Sequence, residues 1–86
     1  MIARLKKAVG LDITKKTKEG YYSLARFACF KRLHDFGYGK SEIARMFGFR
    51  HASVNYGIKK LEDLLSINDK MAVRFWDRVK DVKLYD

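Results

Sequence analysis

Ser41-Glu42-Ile43-Ala44-Arg45-Met46-Phe47-Gly48-Phe49-Arg50-His51-Ala52-Ser53-Val54-Asn55-Tyr56-Gly57-Ile58-Lys59-Lys60-Leu61 is the stretch on which the fold turns. Val54, Ile58 and Leu61, continued by Leu65, fall at spacings of 4, 3 and 4, the stripe that one face of an amphipathic helix turns to a core. Asn55, Tyr56, Lys59, Lys60, Glu62 and Asp63 lie off it, basic in the first half and acidic in the second. Upstream, Ile43, Ala44 and Phe47 repeat at i, i+1 and i+4, so a short helix is predicted from about Ser41 to Phe47. Glu42 sits in its first turn, where a carboxylate suits the helix dipole. Gly48 supplies a turn residue tolerant of positive φ, and Ala44 the small side chain needed where two helices pack closely. Short helix, glycine turn and longer amphipathic helix form the pattern of a helix-turn-helix over about 41–65. Such a unit presents the N-terminal end of its second helix, here beginning near His51, to base edges.

Outward from this core the chain reads as helices joined by short turns. There is no proline, no repeat, no low-complexity segment and no sustained strand alternation. A first helix from about Ile2 to Val9 ends at Gly10, where a left-handed cap is easiest for glycine. Leu11 to Lys18 is a basic connector carrying Lys15, Lys16 and Lys18. A second helix, roughly Glu19 to Phe36, places Leu24, Phe27, Ala28, Phe30 and Leu33 on an apolar side opposite Arg26, Lys31 and Arg32, and stops at Gly37-Tyr38-Gly39. Beyond the central pair, Asn68 or Asp69 starts a packing helix over about 69–83 with Ala72, Phe75, Trp76, Val79 and Val82 inward. The expected fold is all-α: one small helical bundle of about five helices spanning residues 1–86 and containing a helix-turn-helix.

Composition narrows the function. Hydrophobic residues make up 48% of the chain, the proportion of a globular unit. Residues 1–60 hold 14 basic and 4 acidic side chains, net +10, and residues 61–86 hold 5 and 6, net −1, together the formal +9. A positive body with a balanced tail points to a polyanion partner. The lone Cys29 lies in an apolar helical stretch and reads as a small buried hydrophobe, which fits a reducing, cytoplasmic setting. No apolar run approaches the roughly 18 residues of a membrane span, so no membrane association is expected.

Other chemistries lack their residues. Gly39-Lys40-Ser41 matches the end of a phosphate-binding loop, but that motif needs a glycine where His34 stands and a preceding strand. Two histidines and one cysteine, with Cys29 and His34 five apart, supply neither metal-ligand spacing nor a triad. The Phe and Trp residues recur at helical spacing and read as core rather than as an exposed platform. No enzyme activity, metal, cofactor or small-molecule substrate is expected.

The 41–61 stretch resembles the C-terminal DNA-binding domain of the bacterial replication initiator DnaA, a helix-turn-helix of the Trp-repressor-like group. That family runs roughly P-E-I-G-x-x-F-G, then R-D-H-[ST]-[ST]-V-x-x-A-x-x-K-I. Glu42, Ile43, Phe47, Gly48, His51, Ser53, Val54, the small Gly57, Lys60 and Leu61 match, and helix order extends the likeness from about Lys15 to Val82. The resemblance implies a monomeric reader of double-stranded DNA, with residues around His51 and Ser53 in the major groove and a basic loop on the minor groove or phosphates. Phe49 and Arg50 stand where the family has Arg and Asp, and Ala52 where it usually has a hydroxyl. Those changes imply a different sequence preference. The family's arginine near the start of the second helix corresponds to about Ser23, leaving the connector lysines to form the basic loop. The family's ATPase module has no trace in these residues, so the expected role is a free-standing regulator, a replication or mobile-element accessory protein, bacterial or phage, or a subunit whose enzymatic partner is encoded elsewhere, and the sequence does not choose among these.

On this reading Arg50, His51, Ser53 and Tyr56 face base edges, where one good bidentate contact discriminates by about 1–3 kcal/mol. Lys15, Lys16, Lys18, Lys40, Arg45, Lys59 and Lys60 face phosphates, which set register and make affinity salt-dependent. The alternative is a helical interaction module that meets a protein partner with its basic face or its Trp76 helix. RNA fits less well, because the A-form major groove is too narrow for a recognition helix.

Overall fold

Gly48 adopts φ 72° and ψ 31°, closing the short helix in the left-handed region that the sequence reserves for glycine, and its N–H bonds back to the carbonyls of Ala44 and Arg45. The computed structural model describes residues 1–17 and 19–85, and within them the chain forms five helices: α1 (Ile2–Val9), α2 (Gly20–Phe36), α3 (Lys40–Phe47), α4 (His51–Ser66) and α5 (Lys70–Val79). Gly10 caps α1 in the left-handed region at φ 74°. α3 gains a cap from Glu42, whose Oε1 accepts the Gly39 N–H at 3.0 Å. α5 is capped by Asp69, whose Oδ2 accepts the Ala72 N–H at 3.0 Å. No helix among the described residues is long and apolar enough to cross a membrane.

α2 is the central element and packs against α3, α4 and α5, while α1 leans on α5 and α3 lies against α4. Because neighbours surround it, α2 buries Leu24, Ala25, Arg26, Ala28, Cys29, Phe30 and Leu33, which is more than one helical face. Phe30 is fully enclosed and meets Phe47 edge-on at 5.0 Å between ring centroids and Phe49 at 6.1 Å. Edge-to-face pairs of this kind add about 0.5–1.5 kcal/mol beyond area burial. Ile43, Val54 and Leu61 are fully buried beside them, as the stripe requires, and Ala44 is buried where α3 meets α4. Leu65 and Trp76 are half-buried at the margin.

Two expectations about the elements need correction. Arg26 does not lie on a polar side of α2; it is 5% exposed. Its Nε donates to the Ile13 carbonyl at 3.0 Å and its Nη2 to the carbonyls of Lys15 and Thr17 at 2.6 and 3.3 Å. Within the connector the Thr17 N–H reaches the Lys15 carbonyl at 3.0 Å, but no regular structure serves the carbonyls of Ile13 and Thr17, so the guanidinium does. The last helix also ends earlier than expected, at Val79. Arg32 and Arg4 take the carbonyls of Val82 and Lys83 at 2.8 and 2.9 Å, drawing this segment off the helix path and seating Leu84 in the core.

Candidate nucleic-acid interface

α4 begins at His51 with Arg50 as its N-cap in extended conformation, and its first turn carries no acidic residue. The four N–H groups that open a helix give this end a partial positive charge. Arg50, His51, Ala52 and Ser53 are all exposed. Tyr56, one turn beyond Ser53, is 60% exposed and rests edge-on against Phe27 with centroids 6.0 Å apart. Anchored from behind by buried Val54 and Ile58, Arg50, His51, Ser53 and Tyr56 thus share one solvent-facing end of α4.

The basic residues around it differ in what holds them. Arg45, Lys59 and Lys60 are exposed and have no ion pair or hydrogen-bonding side-chain partner among the described residues. Lys40 is half-buried and donates to Asn55 Oδ1 at 2.6 Å, tying the start of α3 to α4. Lys15 lies 5.4 Å from the Tyr22 ring centroid. Lys16 hydrogen-bonds the Gly48 carbonyl and sits 4.6 Å from the Phe49 ring. It thereby pins the connector to the turn between α3 and α4 and still has ammonium protons to offer. Lys18, assigned to the same set, lies outside the described residues. The connector's start is fixed by Asp12, whose Oδ1 accepts from the Thr14 hydroxyl at 2.6 Å and backbone at 3.2 Å. Those bonds, with Lys6, hold the Asp12 carboxyl below its ordinary pKa.

Sequence reasoning missed a cleft between the connector and α4. Its volume is about 410 Å³, and its aromatic wall is Phe27, Phe30, Phe49 and Tyr56. Phe27 and Phe49 are half-buried rather than core, and Phe36 is 46% exposed, so the aromatic set is not wholly interior. Arg26 also lines the cleft, its guanidinium carbon 4.6 Å from the Phe49 ring centroid, and burial lowers its pKa. Gly57 lets the Phe27 ring lie close against α4: a Cβ there would stand 2.4 Å from Phe27 Cδ1. Phe49 directly after the turn glycine was the available signal, being a large aromatic where the resembled family has arginine. Elsewhere, Cys29 is fully buried and its thiol is pushed far up by desolvation, while His34 is exposed with Nδ1 3.0 Å from the Tyr38 carbonyl oxygen. No protein-family model matches the chain, and no solved structure matches it at a significant level.

Proposed function

We propose that the chain is a sequence-specific reader of double-stranded DNA that lays the N-terminal half of α4 in the major groove. The observation carrying this reading is the exposed end of α4: Arg50, His51, Ser53 and Tyr56 together, on a helix terminus free of acidic residues in its first turn. Arg50 is suited to the paired acceptors of guanine, and the Ser53 and Tyr56 hydroxyls to either donors or acceptors. Lys15, Lys16, Arg45, Lys59 and Lys60 would meet phosphates around it, with Lys40 holding Asn55 and so the α3–α4 register. The resemblance to the DnaA C-terminal domain supports the same placement. A regulator or an accessory protein of replication or of a mobile element, working in the cytoplasm as a monomer, is the role this chemistry suits.

The test is selection of sites from a random duplex pool at two salt concentrations, followed by affinity for the enriched site with Arg50→Ala. Enrichment of one short motif, with Arg50→Ala relaxing one position of it by about 1–3 kcal/mol, is the expected result. Salt-dependent binding with no enriched motif would reduce the chain to a non-specific basic module. Absence of duplex binding would transfer the basic face to a protein partner.

A further inference from the structure

The cleft beside α4 has the properties of a ligand site. About 410 Å³ lies within the range of small-molecule pockets, which are mostly apolar with a few placed polar groups. Its walls are aromatic, Thr17, Ser23 and Ser53 line it, and its charged lining among the described residues is Lys16 and Arg26, both cations. Arg26 is 5% exposed, bonds three carbonyls, and has no carboxylate within ion-pair distance among the described residues. A buried charge without a counter-charge is costly, and an anion arriving beside it recovers part of that cost. Lys16 at the same cleft, with protons to spare after its bond to Gly48, adds a second attraction of the same sign.

We infer that this cleft binds a small planar aromatic molecule bearing one anionic group, the ring against Phe27 and Phe49 and the anion toward Lys16 and Arg26. Gly57 makes the site by leaving room for the Phe27 ring against α4. Ser53 and Tyr56 line the cleft and also stand in the proposed base-reading set. Occupancy, on the strength of that reading, lowers DNA affinity by engaging both side chains and by adding negative charge beside the phosphate-facing lysines.

The experiment compares 2-naphthoate with 2-naphthylmethanol and 2-naphthylmethylamine, three rings of one shape, by backbone amide NMR titration of the whole chain. The expected result is naphthoate binding about ten-fold tighter than the alcohol and the amine weakest, as a charge-assisted contact requires. Shifts should centre on Phe49, Ser53 and Gly57. Ala52→Trp, at an exposed position on the cleft rim, should abolish binding with the amide spectrum otherwise retained, and Lys16→Gln should narrow the gap between acid and alcohol. Equal affinity for acid and alcohol, shifts centred elsewhere, or full binding by Ala52→Trp would overturn the site. Saturating naphthoate should then weaken binding to the selected duplex several-fold in the wild-type chain. Unchanged DNA affinity with the cleft occupied overturns the coupling alone, and a chain that binds naphthoate but no duplex sinks the DNA reading and leaves the ligand site standing.

Discussion

At Arg26 and Gly57 single side chains, one long and one absent, shape the surface that α4 presents. Arg26 gathers the carbonyls of Ile13, Lys15 and Thr17, so Arg26→Met takes a donor from all three, and of them the Lys15 carbonyl keeps the Thr17 N–H at 3.0 Å. Where such groups cannot reach water the loss is about 1–3 kcal/mol, and urea denaturation should show a destabilisation of that order. Gly57→Ala sets two effects against each other. Alanine is the better helix former by about 1 kcal/mol, whereas overpacking costs typically about 1–3 kcal/mol. A Cβ 2.4 Å from Phe27 Cδ1 cannot be accommodated without moving the ring, so packing decides the sign and Gly57→Ala is expected to lower the urea midpoint. Neither role was legible in the sequence. An amphipathic pattern assigns an arginine to the solvent side of a helix, and α2 breaks that rule because the connector crosses it. Gly57 looks like one more small residue until the Phe27 ring is placed upon it.

The helices themselves were legible where one face alone is buried. In α4 the stripe at Val54, Ile58 and Leu61 is enclosed as expected, and the ends of α1 and α3 fall at glycines whose φ angles of 74° and 72° demand them. α5 reads correctly at its start for the same local reason: Asp69 caps it through Ala72 N–H. Asp69→Ala should therefore cost about 1 kcal/mol, measured by thermal or urea unfolding. The end of α5 was not legible, because distant arginines on α1 and α2 decide it. Between elements, Lys31 joins α2 to α4, lying 3.1 Å from Asp35 and 3.3 Å from Glu62 and 5.2 Å from the Trp76 ring of α5. Burial works against its charge, but the hydrogen bonds and charges of Asp35 and Glu62 prevail and its pKa is raised. A folded pKa above the unfolded one gives stability that is full below the unfolded value of about 10.4 and is lost as pH rises through the folded value. The stability difference between wild type and Lys31→Met should shrink as unfolding is followed from neutral pH to strongly alkaline pH.

Across the whole molecule, charge and closure act on different properties. Closure comes from the segment after α5. Leu84 is 4% exposed, Arg4 and Arg32 bind neighbouring carbonyls, and the hydroxyls of Tyr38 and Tyr85 bond each other, so α1, α2 and the turn before α3 are held from the C-terminal side. Leu84→Ala should cost about 2–5 kcal/mol, a large part of what a chain this small has to lose. It should leave the charge pattern untouched. Charge is concentrated in residues 1–60 at net +10, and under the proposed function each lysine on a phosphate releases counterions when the duplex binds. The logarithm of affinity then falls with the logarithm of salt by about 0.9 per phosphate neutralised. Lys59 and Lys60 are exposed on the α4 turn that follows Tyr56, and neither supports the fold through a side-chain bond among the described residues. Lys59→Gln with Lys60→Gln should therefore leave the urea midpoint unchanged while flattening the salt slope by up to about 2. Sequence preference should persist, because Arg50 and Ser53 are intact. A slope that stays fixed would move the DNA backbone off this side of α4, and a lost preference would show that these lysines set register as well as affinity.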